Sequence, residues 1–331
     1  MTNLIALEEH YVSPLLDAKK RGAPSPDTFR PVIVEKLGDI GPARLRDMAD
    51  NSIAMTVLSH SPVHPDPETC KAINDDLYSK IIHHPAEYAA FAVLPMHAPA
   101  AAAAELRRCV WDLGFVGTLT GNHLDDGSFF DTPDFYPLWQ AAQDLDVPIY
   151  LHPTFPPEQE SNVNFHGPYD AEIATALGSW GWGWHSRTGL HFLRLFAAGV
   201  FDRFPRLNII LGHMGEMLPF MLDRIMGASA RWPAPEGGER KRGLRRVWDE
   251  NVWITTSGMF SLAPMACLLR ETKVERIMFS VDYPFARNGA GKEFMDKLKA
   301  SGLVSEDEWE GIAWRNARGL LRLKFEPKKS V

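Results

Sequence analysis

Short apolar runs alternate with longer amphipathic stretches from one end of the chain to the other. Eight runs read as strands: Leu4–Leu7, Ala54–Ser59, Tyr88–Leu94, Phe115–Thr120, Pro148–Leu151, Leu207–Gly212, Val252–Ser257 and Arg276–Val281. Several are nearly continuous apolar stretches, the pattern of a parallel sheet covered on both faces. Between them, apolar residues at helical spacing predict helices over Arg44–Asn51, Thr69–His84, Ala100–Asp112, Asp134–Leu145, Gly189–Phe204 and Ser261–Thr272. Further helices over Glu306–Leu323 close the chain. Pro85, Gly114 and Pro205 stand where three of these helices must stop. Strand–helix alternation predicts βαβ units. Eight such units in 331 residues predict an α/β fold, a (β/α)8 TIM barrel, with residues 1–331 as one domain. A doubly wound open sheet is the alternative, but neither GxGxxG nor GxxxxGK(S/T) follows any run. The long gap after the fifth strand, Pro153 to Arg206, is an insertion holding His166, Gly167 and the Trp-Gly run Gly178–Trp184. Its place over a barrel mouth predicts a lid or substrate wall.

Composition narrows the class. Apolar residues make up 45% of the chain, enough for a sizeable core. The net charge, 35 − 42 = −7, argues against a nucleic-acid partner, which needs a basic footprint. The basic cluster Arg240 to Arg246 reads as the solvated start of a helix. Three widely spaced cysteines, Cys70, Cys109 and Cys267, predict reduced thiols in a cytoplasmic enzyme rather than a disulfide framework. Met1-Thr2-Asn3 lacks the basic start of a signal peptide, and the most apolar region, Tyr88–Leu106, is broken by Pro95, His97 and Pro99, so no membrane span is expected.

Ligand-type residues gather at the ends of the apolar runs. Glu8 and His10 end the first, and at a spacing of two they share a strand face. His152 follows the fifth run, His213 the sixth and Asp282 the eighth. Barrel enzymes build their sites at these C-terminal strand ends. Any one of these residues alone reads as a helix cap or a structural hydrogen-bonding group; the conjunction points to a metal centre. Imidazoles with carboxylates suit Zn²⁺ or Mn²⁺, with Mg²⁺ as an alternative, and Glu8, His10, His152 and Asp282 are the expected ligands. The fourth run ends Leu119-Thr120 without a lysine, which favours one metal over a carbamate-bridged pair. Glu216, three residues after His213, is placed to orient its imidazole. Arg224 could meet an anionic substrate, reach a neighbouring subunit or form an ordinary ion pair, and Tyr283 and Phe285 could flank an aromatic ring or serve plain packing. No GxSxG supports a serine nucleophile.

Seven segments carry a resemblance. Ala6-Leu-Glu-Glu-His10, Phe91-Ala-Val-Leu-Pro95, Gly114-Phe-Val-Gly117, Val147-Pro-Ile-Tyr-Leu-His-Pro153, Leu207 to Glu216, Trp253-Ile-Thr-Thr-Ser-Gly258 and Arg276 to Phe285 are similar to the amidohydrolase-2 branch of the amidohydrolase superfamily. Within that branch the chain most resembles the aromatic acid decarboxylases acting on γ-resorcylate (2,6-dihydroxybenzoate) and 2,3-dihydroxybenzoate, relatives of aminocarboxymuconate semialdehyde decarboxylase. The resemblance runs nearly end to end and includes Asn316-Ala-Arg318. It implies a distorted (β/α)8 barrel and one divalent metal held by Glu8, His10, His152 and Asp282. It further implies His213 with Glu216 as acid–base group, reversible loss of CO₂ from a small phenolic acid, and a homodimer or homotetramer. Asp282 is the candidate proton donor to carbon. Two departures fall where substrate is held: Leu119-Thr-Gly-Asn122 replaces the usual Leu-Val-Asn, and Ala286 replaces a glutamate after Asp-Tyr-Pro-Phe. Asn122, Arg224, Tyr283 and Phe285 are therefore the substrate-binding candidates. The rival in the same fold is metal-dependent hydrolysis of a lactone or amide, with Asp282 as general base. Glu8, in place of the HxH of hydrolytic members, favours decarboxylation. A non-catalytic metal-binding protein is the third reading, which a complete ligand set at the barrel mouth disfavours.

Overall fold

A computed structural model describes residues 3–16, 30–233 and 240–327; Met1 and Thr2, on which the leader reading rests, lie outside them. The eight predicted strands form as β1 Leu4–Tyr11, β2 Ile53–His60, β3 Tyr88–Ala90, β4 Thr118–Gly121, β5 Ile149–His152, β6 Ile209–Leu211, β7 Val252–Thr255 and β8 Ile277–Met278. They pair in chain order, β1-β2-β3 and β4-β5-β6-β7-β8, and all pairs are parallel. Two single bridges close the ring: Ala92 with Thr118 joins β3 to β4, and Glu9 with Tyr283 joins β1 to the chain leaving β8. The fold is the expected (β/α)8 barrel, distorted at these two thin seams.

Alternation along the strands sorts the core into two layers. Ile5, Leu7, Met55, Val57, Phe91, Leu119, Tyr150, Ile210 and Met278 fill the barrel interior. Leu4, Ala6, Leu58, Ile149, Leu151, Ile209, Leu211 and Ile254 face the surrounding helices. The chain end seals the bottom. A capping box at Ser305 starts Glu306–Glu310, a wide turn follows over Gly311–Arg315, and Asn316–Leu321 delivers Ala317, Leu321, Leu323 and Phe325 to the interior cluster.

The helix predictions hold with shifted ends, and several helices escape the periodicity reading. Pro31–Gly38, Leu218–Ser229 and Asn288–Ser301 all form; the last hides behind its glycine-rich opening, Asn288-Gly-Ala-Gly291, which scores poorly for helix. The insertion is itself helical, over Glu158–Asn164, Ala171–Gly178 and Gly183–Ala197. The helix expected from Gly189 begins six residues earlier, inside the Trp-Gly run. A side chain at Gly183 would overlap the carbonyl group of Gly178, so glycine there lets the chain fold back on itself and enter the helix. Gly199, at φ 76°, then ends this helix before the short Val200–Arg203 turn. Cys70, Cys109 and Cys267 are free thiols, and the basic cluster is engaged in ion pairs such as Arg246 with Glu250 at 3.0 Å. No helix among the described residues is long and apolar enough to cross a membrane.

Candidate active site

The geometry of β1 departs from simple alternation in a way that creates the site. Ile5 and Leu7 point into the barrel, so Glu9 should follow them. The register against β2 slips between Ala6 and Glu9, and the extra residue brings Glu8 and His10 to the mouth instead. Ser280 holds this bulge: its Oγ accepts the N–H groups of Leu7 and Glu8 at 3.2 and 2.7 Å. Glu9 is turned into the wall, where its Oε1 accepts the Val281 N–H at 2.9 Å. Burial pushes the Glu9 carboxyl up to about 8, against the pull of Arg44 and the Val281 N–H. Arg44, itself buried, donates to the His10 carbonyl at 2.7 Å and lies over the Tyr283 ring at 4.5 Å.

Glu8, His10, His152 and Asp282 converge so that one ligand atom from each lies within 4.8 Å of the others. The His152 Nδ1–H donates to the Pro153 carbonyl at 2.7 Å, which leaves an Nε2 lone pair facing Glu8 Oε1 at 3.0 Å and His10 Nε2 at 3.2 Å. His10 has its Nδ1 3.3 Å from Ser59 Oγ and its Nε2 3.4 Å from Asp282 Oδ1. The ring nitrogens crowd round the carboxylate oxygens, and the buried Glu8 Oε1 and Asp282 Oδ1 have no hydrogen-bond donor. A cation at the centre satisfies such a set, so the residues fit a divalent metal ion. Burial pushes the Glu8 carboxyl up, but the imidazoles of His213, His152 and His10 outweigh it and hold the group well below the usual carboxylate range. Burial pulls His10 below its ordinary value.

Glu8 is anchored from behind. The Tyr150 hydroxyl donates to Glu8 Oε2 and sits 2.6 Å from Thr255 Oγ1 and 3.3 Å from Ser257 Oγ. Gly212 leaves room for this contact: a Cβ there would lie 2.8 Å from Glu8 Oε2 and 3.0 Å from the Tyr150 hydroxyl.

His213 and Glu216 lie in a left-handed turn. Residues 213 to 217 all have positive φ, at 48°, 58°, 89°, 52° and 66°. Four of these five are not glycine, a conformation that persists only where its surroundings enforce it. The turn brings His213 Nδ1 to 2.8 Å from Glu216 Oε1. The imidazole Nε2 then faces Glu8 Oε1 at 3.6 Å and Asp282 Oδ2 at 3.8 Å. Burial opposes charge on His213, yet Glu8, Glu216 and Asp282 lift it well above its ordinary value. Glu216 has a second partner: His185 Nδ1 lies 2.8 Å from its Oε2.

The substrate-binding candidates divide. Phe285 is brought to the centre, its ring 5.7 Å from His10 and 38% exposed. Asn122 is buried and spends its amide on the scaffold, accepting from Thr154 Oγ1 at 2.6 Å and donating to Thr188 Oγ1 at 2.9 Å, so it ties the insertion to the β4 and β5 ends. Tyr283 turns away, buried beneath Arg44. Arg224 is exposed on the Leu218–Ser229 helix.

A barrel with two imidazoles and two carboxylates converging at the C-terminal ends of its strands defines a metal-dependent barrel enzyme. Comparison with known proteins places it further. The Amidohydrolase family profile matches residues 28–323, and the chain belongs to this family. It is 50% identical to the decarboxylase orsB of Emericella nidulans, over 98% of this chain and 99% of that one. It is 37% identical to the γ-resorcylate decarboxylase of Rhodococcus jostii, again over 98% and 99%. The crystal structure of a dihydroxybenzoic acid decarboxylase from Polaromonas, with bound manganese and the inhibitor 2-nitroresorcinol, superposes with a TM-score of 0.86 at 32% identity, covering 98% of both chains. The protein is an enzyme, a carboxy-lyase of the amidohydrolase family, with a divalent metal as cofactor.

Proposed function

We propose that the protein removes CO₂, reversibly and without oxidation, from an ortho-hydroxylated benzoate of the salicylate or dihydroxybenzoate type. The observation that carries this reading is the buried set Glu8, His10, His152 and Asp282 with an imidazole, His213, beside it; the hydroxybenzoate decarboxylases among the relatives support it over hydrolysis. Glu8, His10, His152 and Asp282 hold the metal. When bound, the ion supplies Lewis acidity toward the phenolic and carboxylate oxygens of the substrate. Phe285 lines the ring. Asp282, the most open of the four with its side chain 15% exposed, delivers a proton to the carbon bearing the carboxylate. Its neighbour His213, tied at Nδ1 by Glu216, keeps Nε2 toward Asp282 and exchanges the proton with it. The C–C bond then breaks, CO₂ leaves, and the electron pair restores the aromatic ring.

Turnover in D₂O tests this directly. The expected product carries one deuterium at the carbon that lost CO₂. Product without deuterium there contradicts proton delivery to carbon, and cleavage of lactones or amides in its place supports the hydrolase reading. Tyr150→Phe, which removes the hydroxyl holding Glu8, is expected to weaken metal affinity about 10- to 100-fold; a chelator competition titration showing wild-type affinity contradicts that anchoring.

The reading extends to one domain over residues 1–331, active in the cytoplasm as a homodimer or homotetramer. Phe220 is 84% exposed, beside exposed Met221 on the same helix and Met217 just before it, and Trp180 and Trp182 add further exposed apolar surface. Such surface suits contact with a second copy. Arg224, one turn on from Phe220, would then reach the neighbouring subunit. Phe220→Glu is expected to shift the assembly to monomers in light scattering; an unchanged mass contradicts this interface.

A further inference from the structure

The carboxylate of Glu216 carries two imidazoles, one on each oxygen. His213 Nδ1 lies 2.8 Å from Oε1, and His185 Nδ1 lies 2.8 Å from Oε2. The two rings are 4.7 Å apart at 60°. Glu216 is 1% exposed, so bulk water does not replace a lost partner. A carboxylate held at one oxygen swings about a broad torsion; held at both, it has one orientation. His213 needs that support, because the left-handed turn that carries it lies outside any regular element. His185 is the third residue of the Gly183–Ala197 helix, and that helix packs on the same turn: a Cβ at Gly189 would sit 2.8 Å from the Glu216 carbonyl oxygen.

We propose that His185 is a positioning residue for the decarboxylation: by holding the second oxygen of Glu216 it fixes the plane of the carboxylate and thereby the imidazole of His213, linking the insertion after β5 to the acid–base group. This rests on the role given to His213 above. His185 acts through Glu216, so its loss changes the rate of the chemical step rather than the binding of substrate or metal.

The test compares His185→Leu with His185→Asn, whose amide nitrogen reaches the place of Nδ1. His185→Leu is expected to lower kcat about 10- to 100-fold, with KM and metal content within twofold of wild type. His185→Asn is expected to recover most of that loss. In ¹⁵N-edited NMR of the metal-loaded protein, the hydrogen-bonded Nδ1 proton of His213 is expected to shift or broaden in His185→Leu and to return in His185→Asn. Wild-type kcat in His185→Leu, or equal losses in both variants with KM rising alongside, overturns the proposal. If the wild-type protein decarboxylates no phenolic acid, the functional reading fails separately; the NMR comparison still decides the positioning role, and an unchanged His213 signal in His185→Leu overturns it.

Discussion

Asp282→Asn is expected to lower kcat by about 10³-fold or more while leaving the fold and the metal content intact. The substitution is informative because of where Asp282 sits. Its backbone lies in the left-handed region at φ 71°, which asparagine tolerates better than almost any other residue with a side chain. Its carbonyl accepts the Ala286 N–H at 2.9 Å, a bond that the change does not touch. The amide oxygen can still face the cation at the position of Oδ1, and Glu8, His10 and His152 remain as ligands. What the amide cannot do is carry a proton to carbon. Steady-state kinetics with metal analysis on the same sample check this; turnover near the wild-type rate in a fully metallated variant removes Asp282 from the proton path.

Chelation is expected to have the second large effect, on both activity and stability. Without a cation, the His10 and His152 Nε2 atoms crowd each other and the Glu8 carboxylate, and two buried carboxylate oxygens have no donor. Ligand binding to the native state alone contributes about 2.7 kcal/mol at a metal concentration of about 100 Kd. Stripping the metal should therefore lower Tm by several degrees and abolish turnover. One equivalent of Mn²⁺ or Zn²⁺ should restore both. A stripped protein with unchanged Tm and full activity contradicts a metal at this site.

Much of this was legible in the chain because two signals are short-range. The eight strands announce themselves as apolar runs with β periodicity, and barrel topology turns strand ends into one place. His152, His213 and Asp282 could therefore be gathered from far apart in sequence. The spacing of Glu8 and His10 puts them on one face, but the pattern alone sets that face in conflict with Ile5 and Leu7. The bulge resolves it, and a bulge depends on Ser280, more than 270 residues away. Tyr150 escaped notice because its ring belongs to the apolar barrel interior while only its hydroxyl reaches Glu8. His185 escaped because its role exists only once the Gly178–Gly183 contact has turned the Trp-Gly run into a helix start. Asn122 and Tyr283 show the reverse failure: both adjoin the site in sequence, yet one braces the scaffold and the other faces Arg44. Adjacency to a ligand fixes a residue's neighbourhood, whereas its direction depends on tertiary contacts.

The most direct test of the central claim is CO₂ release and product formation from salicylate, 2,3- and 2,6-dihydroxybenzoate, orsellinate and 5-carboxyvanillate, with metal content measured on the same sample. The expected result is turnover of at least one acid, lost on chelation and restored by Mn²⁺ or Zn²⁺. A fully metallated protein that leaves all five untouched while hydrolysing a lactone or amide would contradict the account.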